Sequence, residues 1–257
     1  MKGRRWEALR AGLKEGGASF AVSAVLVLLA HPDVVASVWR HFGGRPLEAF
    51  SAERLLILAG SHAELAVLAI VPAAITGVGL GVLVTRPFGA ALRPLTDTLV
   101  AGSQAVPPVV VVALAFPSLG FGAAPTVLAL ILYGIMPILR STVAALESTP
   151  THVMAAAQAM GLTPGQVFRD VEWPLAFPVV LQGVRVALVL AVATAAVGAL
   201  AGATTLGTPI VIGLQNQNEL YVLQGAAATA ALAFMAEGLL ASVAGRFRTR
   251  QGSISSD

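Results

Sequence analysis

The residues able to perform acid–base, nucleophilic or metal chemistry are few in this chain and poorly spaced for it. The four histidines, His31, His41, His62 and His152, share no i, i+4 spacing and fall in separate segments, so they form no metal-binding helix face. Cysteine is absent, which excludes disulfides, thiolate metal sites and a Cys nucleophile. Neither G-x-S-x-G, H-E-x-x-H nor a G-x-x-x-x-G-K-[ST] phosphate loop occurs, so there is no recognisable hydrolase centre and no loop that cradles a nucleotide. Glu237 is the main acid set within a long apolar run. A functional role is the default expectation for such a residue, and pairing with Arg185 or the Arg246 cluster is the simpler one. An ion-coupled carrier would be expected to hold more charge inside its apolar runs.

The chemistry that remains is that of a docking surface. Ser148 to Pro178 is the longest polar-punctuated segment between two hydrophobic blocks, and its residues predict helix, glycine, helix. Thr149 can cap a first helix with Pro150 at its first position, where a missing N–H leaves no bond unmade. Alanine-rich residues 154–160 propagate it, and Gly161 suits the stop because it reaches positive φ without a Cβ clash. Thr163-Pro164-Gly165-Gln166 then reads as a T-x-x-Q capping box. Trp173-Pro174 is expected to close the second helix, since the residue before proline is pushed out of the helical region.

The elements that must position this segment follow from composition. Of 257 residues, 56% are hydrophobic and 11% charged, far from the quarter or so that soluble domains carry. Runs of about 20 apolar residues suffice to span a hydrocarbon core, and several occur. A first span covers Ala18 to Ala30, extended by Leu9 to Leu13 or by Val34 to Trp39. A secretory signal peptide is the other reading of this run, but no small-x-small cleavage site follows it at once. Further spans are expected at Leu65 to Thr85, opened by a Ser61-His62-Ala63-Glu64 capping box after a short helix capped by Ser51, at Leu99 to Leu119, at Pro125 to Leu139, at Val179 to Leu200 and at Leu220 to Val243. Ala201 to Glu219, rich in Gly, Thr and Pro, suggests a re-entrant or surface-lying segment.

With the N-terminus inside and about six spans, all but three of the 16 Lys and Arg residues fall on the cytoplasmic side, the exceptions being Arg40, Arg45 and Arg54. This positive-inside bias places Ser148 to Pro178 and both termini in the cytoplasm. Trp39 and Tyr221 then lie at the outer boundary, Trp6 and Trp173 at the inner one. The G-x-x-x-G spacings at Gly77–Gly81 and Gly198–Gly202 suit close helix packing. The adjacent Pro107 and Pro108 remove two helix donors at mid-membrane, favouring unwound backbone beside a passage. The resulting organisation is a cytoplasmic N-terminus (1–17), a first helix with an extracytoplasmic segment (18–62), a transmembrane core (63–243) holding the cytoplasmic loop 141–178, and a tail (244–257) that ends in a polar, disordered stretch.

The loop itself, Ala155-Ala156-Ala157-Gln158-Ala159-Met160-Gly161 followed by Val171-Glu172-Trp173-Pro174, resembles the E-A-A-x-x-x-G loop and later hydrophobic-x-Leu-Pro element of the membrane permease subunits of bacterial ABC importers. The runs 159–164 and 174–179, Gly183-Val184-Arg185, Leu132 to Arg140 and Leu206-Gly207 are similar to the osmoprotectant branch (glycine betaine, carnitine, choline), and the similarity covers about Ala63 to Leu214. The resemblance implies an all-α polytopic chain with the type I ABC importer permease fold. It also implies a translocation subunit with no cofactor of its own, ATP being bound by a separate ABC ATPase subunit. A second permease copy, an extracytoplasmic solute-binding protein and the membrane are the other expected partners; nucleic acid is not. Ala155, Ala156, Ala157, Gly161, Leu162, Thr163 and Pro174 would contact the ATPase, and Pro107, Pro108, Tyr133, Gly202, Thr204, Thr205, Leu206 and Gly207 would belong to the solute pathway. Two departures stand out: Ala155 occupies the family's glutamate position, and Thr204-Thr205 replaces Gly-Gly before Leu-Gly. Amino-acid permeases share the loop and remain an alternative, as does an ion-coupled secondary transporter.

Overall fold

In the computed structural model, backbone is described for residues 2–252 and side chains for 16–99, 102–103 and 105–243; Trp6, the Arg246 cluster and the tail expected to be disordered lie outside the described residues or side chains. Every regular element among the described residues is a helix. Among these residues four helices are long and apolar enough to cross a membrane: Ala52–Val84, Ala123–Glu147, the continuous Pro164–Ala201 and Glu219–Val243. Gly16–Ala30 with Pro32–His41 makes a fifth candidate, broken by a 77° bend, and Pro108–Leu119 is a shorter apolar helix.

The bend separates α1 (Lys2–Ala30) from α2 (Pro32–His41). The first span therefore extends toward its N-terminus and not through Val34 to Trp39, because Pro32 cannot donate into the preceding turn. Gln224, fully buried, saturates the backbone this break exposes: its Nε2 donates to the carbonyls of Ala30 and Phe50, both at 3.0 Å, and its Oε1 accepts from the Phe50 N–H at 2.7 Å.

Ser51 caps α3 (Ala52–Val84), its side chain accepting from the Arg54 N–H at 3.4 Å. The expected stop near Gly60 and the fresh start at Ser61 do not occur. Leu55, Leu58, His62, Leu65, Ala66 and Ala69 form one unbroken buried stripe across them, and packing of a continuous face overrides a local capping signal. Farther along, the stripe narrows to Ala73, Gly77 and Gly81, which lie against α6 (Ala123–Glu147) at Gly134, Ile138 and Thr142. Small residues here let two backbones approach closely. The second spacing behaves differently: Gly198 packs on Thr126, whereas Gly202, at φ +80°, ends a helix and faces outward.

The expected span Leu99 to Leu119 is two helices, α4 (Arg93–Ala105) and α5 (Pro108–Leu119), with Val106 extended between them. Proline removes the donor and biases its predecessor away from the helix, so the Pro107-Pro108 pair divides the run. Then come α7 (Thr151–Ala159), α8 (Pro164–Val167), a π-turn (Phe168–Glu172), α9 (Trp173–Ala195), a 3-10 turn (Ala196–Ala201), α10 (Gly207–Gln215) and α11 (Glu219–Gly252). In the centre α3, α6 and α9 pack on one another; α11 lies on α9, α1 on α11, α5 on α6 and α10 on α11.

A Cβ at Gly81 would lie 2.6 Å from Thr142 Cβ, whereas Gly79 meets nothing within 4 Å. Gly81→Val is therefore expected to destabilise the purified protein by about 1–3 kcal/mol, read as a lowered melting temperature in detergent. Gly79→Val should leave that temperature nearly unchanged.

Candidate functional site

The residues expected at the ATPase contact and those of the Gly202–Gly207 segment lie at two ends of one rod. At the first end, α7 begins after Pro150 and not at a Thr149 cap; the Thr149 hydroxyl is buried without a hydrogen-bond partner. Proline at the N-cap supplies the extended backbone that the expected threonine cap would have provided, with no side-chain bond. The helix ends in a Schellman pair: Leu162 N–H donates to the Ala157 carbonyl at 3.2 Å and Gly161 N–H to that of Gln158 at 2.9 Å, with Gly161 at φ +82°. This is the left-handed position that glycine fills without strain. Ala157 is buried, Leu162 half-buried, and Ala155, Ala156 and Thr163 are exposed beside Met160, which is 73% exposed. Ala155 thus offers a flat, uncharged surface where the resembling loops carry an acid.

Thr163 and Gln166 close the expected capping box, Thr163 N–H donating to Gln166 Oε1 at 2.8 Å and Gln166 N–H to Thr163 Oγ1 at 3.4 Å. Trp173-Pro174, however, does not end this second helix. The π-turn at Phe168–Glu172 shifts the hydrogen-bond register just ahead of Pro174, which absorbs the missing donor and the steric clash that would have broken an α-helix. The chain consequently runs as one helix from Pro164 to Ala201.

Two residues that sequence reasoning passed over hold this end to the core. Arg86, just beyond α3, places a guanidinium nitrogen 2.7 Å from a carboxylate oxygen of Glu172, a close ion contact whose angle lies outside hydrogen-bond geometry. Its guanidinium also stacks 5.1 Å from the Phe168 ring centre. Beneath it Phe168 and Trp173 pack on Ala145, Leu146, Ala176 and Val180. Nearby, Arg93 pairs with Glu147 and, at 3.5 Å, with Asp97, tying α4 to the end of α6.

At the other end Gly202 closes the 3-10 turn in a second Schellman pair, Ala203 N–H donating to the Gly198 carbonyl at 3.0 Å and Gly202 N–H to that of Ala199 at 3.2 Å. Gly122 N–H donates to the Ala201 carbonyl at 2.7 Å. Thr204 is exposed; Thr205 and Leu206 are fully buried, and Thr205 Oγ1 accepts from the Gly207 N–H at 3.1 Å. A Cβ on Gly207 would fall 1.9 Å from the Ala196 carbonyl oxygen, so only glycine fits this fold-back. The segment is seated by His62, fully buried in α3, whose Nδ1 accepts from the Leu206 N–H at 3.1 Å while Nε2 lies 2.7 Å from the Val192 carbonyl. An N–H can only donate, so Nδ1 is bare and the proton sits on Nε2, which donates to Val192. The imidazole is neutral and joins α3, α9 and the fold-back through backbone atoms alone.

Gly202, Thr204, Thr205, Leu206 and Gly207 are therefore brought together. Pro107 and Pro108 are not part of that cluster: α5 meets it at Val112, which packs on Ala129 and Ala201, about 6 Å beyond Pro108 at 1.5 Å per residue. Tyr133 stands within α6, half-buried, its hydroxyl enclosed without a hydrogen-bond partner. Glu237 is paired as the simpler reading had it, with Arg185, and it also accepts from Ser19, linking α1, α9 and α11.

Glu172 is only 9% exposed and Arg86 24%, so Arg86→Met strands a buried carboxylate. It is expected to cost about 3 kcal/mol in thermal unfolding, and the double change Arg86→Met, Glu172→Leu should recover most of that loss.

Comparison with known proteins gives this geometry a context. Residues 77–249 match the family described as "Binding-protein-dependent transport system inner membrane component". The chain is 34% identical over 200 residues to the Osmoprotectant import permease protein OsmY of Salmonella typhimurium, covering 77% of this chain and 85% of that one. It is 36% identical over 180 residues to the Glycine betaine/carnitine/choline transport system permease protein OpuCD of Bacillus subtilis, covering 68% and 76%. In fold it is similar to a chain of the MetNI methionine ABC transporter solved in an inward-facing form, with TM-score 0.62 and 24% identity over 77% of this chain and 95% of that one. The chain belongs to the family of inner-membrane permease components of binding-protein-dependent transport systems, as a multi-pass all-α translocation subunit.

Proposed function

We propose that this chain is the permease subunit of an ATP-driven importer for compatible solutes of the glycine betaine, carnitine and choline class. The solute class rests on the names its relatives carry. The mechanism rests on one observation: a single helix of 38 residues, Pro164–Ala201, begins next to Gly161 and ends at Gly202. At 1.5 Å per residue such a rod is about 57 Å long.

A separate ABC ATPase subunit would grip the exposed face of α7, with Ala155, Ala156, Ala157, Gly161, Leu162, Thr163 and Pro174 forming or supporting the contact. ATP-driven closure moves that end, the Arg86–Glu172 contact carries α3 with it, and the rod tilts the fold-back at Gly202 to Gly207 against α5 and α6. This is rigid-body switching between two packings of one set of helices. Pro107, Pro108 and Tyr133 would line the path: backbone freed from the helix and a free hydroxyl suit a polar solute. A second permease copy supplies the opposing wall, an extracytoplasmic binding protein delivers the solute, and both termini lie in the cytoplasm. No observation favours an amino-acid substrate or an ion-coupled carrier; the likeness to the methionine transporter is one of fold.

Gly161→Leu tests the docking role. The left-handed backbone costs a branched residue about 1–2 kcal/mol, while the surrounding space is open, so the defect is one of chain direction. Membrane insertion should persist and binding-protein-stimulated ATP hydrolysis should vanish in reconstituted complex, with Gly161→Asn intermediate. Normal stimulation in Gly161→Leu would remove the coupling role.

A further inference from the structure

The bent element at the end of α1 farthest from the coupling segment has no place in the transport mechanism, yet its residues are sorted by side. Along α2, Val34, Val38 and Phe42 follow one another at i, i+4 and i+8, one line on a helix surface. Val38 is 41% and Phe42 82% exposed, while Val35, on the neighbouring line, is buried. Asp33 and Arg40 lie across the helix from that line, and Ser37 and His41 flank it.

The helix is held in place at both ends. Before it, Gln224 grips the Ala30 carbonyl at 3.0 Å. After it, Trp39 Nε1 donates to the Arg45 carbonyl at 3.0 Å, Arg45 Nη2 donates to that of Gln217 at 2.6 Å, and Asn218 Nδ2 donates to that of Glu48 at 3.0 Å. These bonds fix how far α2 rolls. In the chain, the exposed apolar line of α2 follows directly on the exposed apolar surface of α1, where Val25 is 55% and Leu28 61% exposed.

We propose that α2 is a membrane-surface helix. It turns out of the bilayer at the 77° bend and lies at the boundary between hydrocarbon and water, with Val34, Val38 and Phe42 among the acyl chains and its polar side in water. The occupant is lipid because α2 starts two residues after the end of a helix that belongs to a candidate span and whose own exposed side is apolar, while Asp33 and Arg40 face away from the apolar line. A helix with this segregation of sides partitions into the interface and does not cross it. The strap from Phe42 to Phe50 then ties the outer turn at Gln217 and Asn218 to the membrane surface.

The chain lacks cysteine, so single substitutions Asp33→Cys, Val38→Cys, Arg40→Cys and Phe42→Cys can each carry a nitroxide in full-length protein, reconstituted in phosphatidylethanolamine–phosphatidylglycerol vesicles. All four positions are exposed, so folding is not at stake. Labels at 38 and 42 should collide with dissolved oxygen severalfold more than with a water-soluble nickel chelate, and labels at 33 and 40 should show the reverse. Equal access of the nickel reagent to all four would overturn the proposal. So would protection of 38 and 42 that appears only after a soluble solute-binding protein is added, which would make the line a protein-docking surface.

Discussion

Buried backbone that leaves a helix has to find its hydrogen bonds within the protein, and here that demand concentrates between Val192 and Gly207. His62 meets it. One neutral ring receives the Leu206 N–H and donates to the Val192 carbonyl, so α3 holds the fold-back by one bond and α9 by the other. The Thr205 hydroxyl, the two Schellman pairs and the Gly122–Ala201 bond complete the account. Buried away from water, each such group would otherwise cost about 1–3 kcal/mol, which is why an irregular segment can stand here. Gln224 does the same for the break between α1 and α2. Both side chains are fully buried, and both join segments distant in sequence.

The fold-back matters because of what it is attached to. The 38-residue helix leading into it would be two helices if Pro174 broke it, and the π-turn prevents that. A register shift confined to Phe168–Glu172 keeps the rod whole, and the same turn carries Glu172 to Arg86. Proline, π-turn and ion contact together join the α7 end to the core. The small-residue stripe of α3, Ala73, Gly77 and Gly81, sets the rod's neighbours close enough to move with it.

Much of this was legible in the residues where the chemistry is local. Gly161 and the Thr163–Gln166 box act over a few positions, and the structure contains both as their types require. The spans were legible from hydropathy, and the matches to known permeases agree with the resemblance carried by the loop. Local signals misled where packing or register intervened. Ser61-x-x-Glu64 is a well-formed capping box overruled by a continuous buried face, and Trp173-Pro174 is a helix stop cancelled by a π-turn. By contrast, the interruption expected at Pro107-Pro108 within Leu99 to Leu119 is present, and the prolines divide that run into two helices. The Arg86–Glu172 contact and the His62 bonds were invisible for a simpler reason: their partners lie far away in sequence, and those of His62 are backbone atoms that no residue type announces.

The central claim is that the helix from Pro164 to Ala201 transmits motion without bending. Arg169 and Leu200, both exposed, sit near its two ends, about 46 Å apart at 1.5 Å per residue. Nitroxides at cysteines in these positions, in complexes diluted with unlabelled copies, would report that separation by pulsed electron resonance with and without trapped ATP. An unchanged distance, together with a changed distance between Arg169 labels on two copies, is the predicted result. A change of several ångströms within the rod, with the Arg169 pair fixed, would contradict the account and place the moving part at the π-turn.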